Sequence, residues 1–181
     1  MKWMGLAVLG LAACGTTTGS DGGTPTGDGG AGTDYAPPYV ANWAITGDLN
    51  ADGTDTPQQF TLPIQELSSN VIELQSFCSE TDMYSTGPVA DVTASGFTVR
   101  ADSCSYSSMN CSQGDLEFAW TSGSGSQSNN VLTGNVSGTI SCAGLSTDYT
   151  FTFTSTSKGT YGSVTAHSGI GLARTLELLQ H

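Results

Sequence analysis

The chain has 181 residues, with 16 acidic side chains against 4 basic ones and a formal net charge of −12. That balance argues against a nucleic-acid partner, because duplex affinity rests on Lys and Arg neutralising phosphates, and it disfavours electrostatic adhesion to anionic lipid. Charged residues are only 11% of the chain; its polarity comes from Ser, Thr, Asn and Gly, the composition of a turn-rich exported β protein and not of a helical bundle.

The first element is a leader. Lys2 is followed by a short apolar run, Trp3 to Leu11, and then by Ala12-Ala13-Cys14-Gly15. The run is too short for the roughly 20 residues that span a bilayer, and it has the charged start, apolar centre and small-residue end of a secretory signal. Leu11-Ala12-Ala13-Cys14 resembles the lipobox of bacterial lipoproteins. The resemblance implies cleavage before Cys14, a thioether-linked lipid on its sulfur, and palmitate or a similar acyl chain on the new amino terminus. Several acyl chains on one residue anchor stably where one is marginal. With Gly15 and not an aspartate after the cysteine, delivery to an outer membrane is the expectation.

Residues 14–39 then form the lipidated cysteine and a tether. Gly15 to Asp34 is almost entirely Gly, Thr, Ser and Asp, a composition that behaves as flexible coil, and Tyr35-Ala36-Pro37-Pro38-Tyr39 stiffens its end.

Residues 40–181 read as one β-rich domain. Phe97–Ala101, Leu116–Trp120 and Tyr149–Thr154 alternate apolar and polar residues, the period of a half-buried strand. Val131–Ser141 is a long strand in which Gly134 and Gly138 suggest bulges. Weaker strands fall at Asn42–Thr46, Gln58–Ile64, Val71–Phe77 and Val89–Thr93, with a hairpin turn at Ala94-Ser95-Gly96. About eight antiparallel strands predict an all-β fold, either a small barrel or a two-sheet sandwich; closure of a barrel would hide the edges. Leu172, Leu176 and Leu179 fit a short C-terminal helix.

Cys78, Cys104, Cys111 and Cys142 form an even set in an exported domain, which points to two disulfides. The favoured pairing closes a small loop with Cys104–Cys111 and links distant strands with Cys78–Cys142. Zinc is the rival ligand, but no CxxC pair is present and only His167 and His181 are available to assist.

One stretch has the pattern of a cation loop: Asp48-Leu49-Asn50-Ala51-Asp52-Gly53-Thr54-Asp55-Thr56. It resembles the calcium loops of EF-hand and dockerin repeats. The resemblance implies side-chain oxygens from Asp48, Asn50 and Asp52, a carbonyl from Thr54, a direct or water-mediated contact at Thr56, and calcium as the ion. It departs from the family at the twelfth position, where Gln59 replaces a bidentate glutamate. The competing reading is an Asx-rich turn between two strands.

No catalytic set emerges. His167 is the only internal histidine, no GxSxG elbow is present, and there is no P-loop or dinucleotide fingerprint. The expectation is a membrane-anchored, disulfide-stabilised β-domain that acts as a binding or structural module, with a protein, glycan or small apolar ligand as partner. The alternative is a carrier of a small apolar ligand. It rests on a loose resemblance to lipocalins, through the early Trp43 and the strand count, and Phe118, Trp120, Phe151 and Phe153 would line or fill its interior.

Overall fold

A computed structural model describes residues 33–49, 57–79, 84–107, 111 and 114–162. The leader, most of the tether, most of the cation-loop motif, His167 and the C-terminal leucine pattern lie outside the described residues. The described chain is all-β: β1 (Ala41–Leu49), β2 (Gln58–Ser68), β3 (Val71–Leu74), β4 (Val89–Thr93), β5 (Gly96–Val99), β6 (Asp102–Ser107), β7 (Asp115–Ser128), β8 (Val131–Cys142) and β9 (Leu145–Gly159).

All nine strands belong to one antiparallel sheet of order β5-β4-β3-β2-β1-β9-β8-β7-β6, and β5 also pairs with β7. That second pairing closes the ring. Phe97 and Thr98 of β5 lie opposite Gly125 and Ser124 of β7, while β6 pairs with the earlier half of the same strand, from Trp120 to Asp115. β5 and β6 therefore act as one interrupted strand, and the nine segments close a ring of eight, an up-and-down barrel in which neighbours in sequence are neighbours in space. The expectation of a small all-β barrel or sandwich of about eight strands is met by this closed sheet.

Alternation explains why these segments are strands. Leu116, Phe118 and Trp120 on β7, Leu132, Val136 and Ile140 on β8, and Tyr149, Phe151 and Phe153 on β9 are all buried, with polar residues between them facing out. Two hairpins turn on left-handed pairs, Asn129-Asn130 and Ala143-Gly144, as two-residue primed turns require. The interruption foreseen at Gly138 takes a different form. The register shift lies on the partner strand, between Trp120 and Ser122, and Gly138 is bare because a Cβ there would sit 2.7 Å from the Trp120 Cα.

The strand register gives the barrel two unlike ends. One carries the tight turns at Ser69-Asn70, Ala94-Ser95 and Asn129-Asn130, and it is where the chain enters β1 and leaves β9. The other carries the β1–β2, β3–β4 and β6–β7 connections and the β8–β9 turn. β3 and β4 have 4 and 5 residues, against 12 and 15 in β8 and β9. The wall is thus low on one side, and the β3–β4 connection occupies that side.

Both ends are plugged by the chain itself. At the entry end Ala36 and Tyr39 are buried, although they lie in the stretch read as tether. Tyr35 and Ala36 donate their N–H groups to Ser69 O, and the Tyr39 ring meets Phe97 edge-on at 5.6 Å. Trp43, fully buried, donates Nε1–H to Tyr39 O at 2.7 Å, and Lys158 Nζ lies 5.0 Å from the centre of the Trp43 ring. At the other end Phe77 drops into the barrel against Phe118 and Trp120, with ring centres 5.6 and 6.2 Å away. Between the plugs the rings pack on each other, Phe118 on Tyr149 at 4.8 Å and Phe151 against Phe153 at 5.7 Å.

Candidate functional site

The end away from chain entry is where the sequence's chemistry collects. Two disulfides hold it, Cys78–Cys104 and Cys111–Cys142. This corrects the favoured pairing of Cys104 with Cys111 and Cys78 with Cys142. Cys104 is not in a loop but on β6, opposite Phe118 of β7, whose side chain is in the core; its side chain shares that inner face. It meets Cys78 as the β3–β4 connection crosses the barrel mouth. Cys111 lies beyond the strand end, level with the last residue of β8, and so meets Cys142.

The β3–β4 connection is built from the bottom of its two legs. Leu74 donates its N–H to Pro88 O, Ser76 to Ser85 O, and Cys78 to Thr86 O, so the legs pair with each other. Gly87 is required there, because a Cβ would run into the Leu74 carbonyl. Ser76 has φ 76°, an unusual left-handed conformation for a serine, and is buried. Outside the wall, polar side chains bind the legs down. Gln75 Nε2–H donates to Gln65 Oε1 at 3.0 Å, Gly87 N–H to Glu73 Oε1 at 3.3 Å, and Tyr161 lies with its hydroxyl 2.8 Å from Gln65 Oε1. Burial raises the Tyr161 phenol above its ordinary value, partly offset by its hydrogen bond with Gln75.

Asp48, the first residue of the cation-loop motif, ends β1 on this same side. Its Oδ1 is buried without a hydrogen-bond partner. Asn50, Asp52, Thr54 and Thr56 lie outside the described residues, as does Cys14.

A second concavity lies on the outer wall over β4, β5, β7 and β8. It is a groove of about 530 Å³ lined by hydroxyl and amide side chains, among them Thr93, Thr98, Ser124, Ser126, Thr133 and Asn135. No lining residue is charged. Gly125 and Gly134 form part of its floor because the Phe97 and Phe153 rings occupy the space beneath them inside the barrel.

Both cations among the described residues are engaged. Arg100 forks onto Asp91 with bonds of 3.0 and 2.6 Å, and this holds the Asp91 carboxyl below its ordinary value. Lys158 donates to Pro38 O at 2.8 Å. The described surface thus has no uncommitted cation with which to meet an acidic partner.

The structure brings Cys78 together with Cys104, Cys111 with Cys142, and Phe77 with the interior aromatics Phe118 and Trp120, while Asp48 stands apart on β1 opposite Thr152. The alternation that predicts a strand over Val71–Phe77 gives no sign that Phe77 leaves the wall to plug the barrel, where it packs on Phe118 and Trp120 beyond the end of β3 at Leu74. The signal available was the adjacency of an aromatic to Cys78 next to a polar connection. Compared with protein-family models, curated proteins and solved structures, the chain matches none of them.

Proposed function

We propose that the chain is an exported lipoprotein, lipidated at Cys14, which holds a disulfide-locked β-barrel at an outer membrane as a binding or structural module. The observation that carries this reading is the pairing of all four domain cysteines at one end of the barrel, opposite the end where the chain enters. Disulfides form and persist in oxidising, exported compartments, and the lipobox supplies the address. Growth with an alkyne-bearing palmitate tests the anchor. Label on the wild-type protein, abolished by Cys14→Ala, is the expected result; label that survives Cys14→Ala contradicts it.

The packed interior favours a barrel that fills itself over a carrier with an open cup. Phe118, Trp120, Phe151 and Phe153 all lie on the inner face and are buried against other rings.

Calcium is a second reading, favoured by the unpartnered Oδ1 of Asp48 at the head of a D-x-N-x-D-G motif. An orphaned buried carboxylate oxygen is costly and is relieved by a cation. In this reading the ion is structural, with affinity in the ~10⁻⁴–10⁻³ M range of extracellular modules. Millimolar calcium then raises the unfolding temperature of the wild-type protein and not of Asp48→Asn, since an ion bound to the native state stabilises by mass action. An unfolding temperature indifferent to calcium removes this reading.

A further inference from the structure

We infer that Ser76–Cys78 is a redox-latched plug, and that its release opens a small site in the barrel for a ring-sized apolar molecule carrying one hydrogen-bond acceptor. The inference goes beyond the lipoprotein reading and does not depend on the anchor.

Three observations meet at this point. The plug belongs to the connection, since Ser76 and Cys78 donate their N–H groups to Ser85 O and Thr86 O across it, and the chain is fixed to β2 just before it, where Gln75 N–H donates to Pro63 O. Beyond Gln75, the Phe77 ring and the covalent bond from the next residue, Cys78, to Cys104 join it to the barrel. Immediately before Phe77 stands Ser76, buried with a positive φ. A left-handed non-glycine residue stores strain that the surrounding structure must hold in place, and here its own N–H bond to Ser85 O and the disulfide two residues away share that work.

The third observation concerns what lies beneath. Trp120 is 3% exposed and its Nε1–H has no acceptor. A buried indole usually finds one. Its ring stands 6.2 Å from Phe77 and 6.1 Å from Phe118. Withdrawal of Phe77 leaves a space shaped by a phenyl ring and walled by aromatics, one of them Trp120, whose N–H is unused. Apolar cavities of that kind stay dry and take aromatic guests.

Unlatching requires a dithiol reductant. Its first thiolate attacks one sulfur of the Cys78–Cys104 bond, giving a mixed disulfide and one free cysteine thiolate. Its second thiol then displaces the other cysteine. The reductant leaves as a cyclic disulfide, and its two electrons and two protons end on the two cysteine thiols.

The test uses the full chain and 4-fluorophenol as probe, followed by the fluorine resonance of the probe. The oxidised wild-type protein is expected to leave the resonance unmoved. After dithiothreitol the resonance is expected to shift and saturate. Phe77→Ala, with both disulfides intact, is expected to bind without reductant, about tenfold or more tighter than the oxidised wild type. Adding Trp120→Phe to that variant should weaken 4-fluorophenol about fivefold and leave fluorobenzene unchanged. The Cys111→Ser/Cys142→Ser protein, oxidised, should resemble the wild type. If the reduced protein unfolds, the Phe77→Ala protein decides. Equal binding by oxidised and reduced wild type, or no saturable binding by Phe77→Ala, overturns the proposal.

Discussion

At the scale of single residues, the barrel interior works by pairing absence with bulk. Gly47 and Gly125 leave room for the Phe151 and Phe97 rings, and Gly134 does the same for Phe153. Gly125→Ala puts a Cβ into the Phe97 ring and 2.6 Å from Thr133 O, so it should cost about 1–3 kcal/mol, the usual penalty of overpacking a core. Gly114→Ala, with nothing within 4 Å of the added carbon, is the matched control. Urea midpoints of the two proteins check the difference. Glycines inside strand patterns were legible as irregularities in the sequence, but their partners were not, since a ring on the paired strand, distant in sequence, leaves no local trace.

Tyr149 makes a prediction about pH. Burial pushes its phenol well above the ordinary value of 10.0, and its hydroxyl donates to Ala119 O at 3.2 Å. The folded protein therefore holds this proton more tightly than the unfolded chain. Its contribution is intact below about pH 10 and is lost as pH rises toward the raised value. Stability should fall from about pH 10 upward through this group, and Tyr149→Phe should flatten part of that fall, at a cost near neutrality of about 1 kcal/mol for the lost hydrogen bond. An alkaline limb identical in the two proteins contradicts the assignment.

At the scale of elements, the strands that stack two aromatics or alternate cleanly were the legible ones. Val89–Thr93 was bounded correctly from sequence, and Leu116–Trp120 and Tyr149–Thr154 were found as the apolar halves of longer strands. Their polar extensions, Ser122–Ser128 and Ser155–Gly159, are Ser, Thr, Gly, Gln and Lys, so no hydrophobic period marks them. β6 was missed for the same reason: Asp102–Ser107 has one aromatic and one cysteine on its inner face. That omission also caused the wrong disulfide pairing, because Cys104 on a strand faces inward while Cys104 in a loop faces its neighbour Cys111.

The disulfides close segments of 26 and 31 residues, which in the chain-entropy model corresponds to about 3.5 kcal/mol each. Cys111→Ser/Cys142→Ser should lower stability by about that amount, measured by urea unfolding, without altering the barrel's far-ultraviolet circular dichroism. A loss below about 0.5 kcal/mol would mean that this bond constrains the unfolded chain little.

At the scale of the molecule, the chain has a formal charge of −12, and the cations among its described residues are already bound to Asp91 and Pro38. Self-repulsion destabilises such a compact state, and salt screens it. The unfolding temperature should therefore rise as sodium chloride is raised from low to physiological strength; a temperature that falls would show that favourable ion pairs dominate. An all-β fold of about eight strands, barrel or sandwich, followed from composition and alternation, and the β5–β7 pairing decides for the closed barrel. Its polarity, with chain entry at one end and both disulfides at the other, needed the strand register.

The account joins an anchor read from Cys14 to a barrel locked by four cysteines, and one intact-mass measurement on protein purified from cell envelopes tests both. The mass predicted is that of a chain beginning at Cys14, increased by the lipid and acyl groups, and lower by four hydrogens than the fully reduced form. A mass that retains Met1 or lacks the lipid increment contradicts the anchor. A mass equal to the reduced value contradicts the lock.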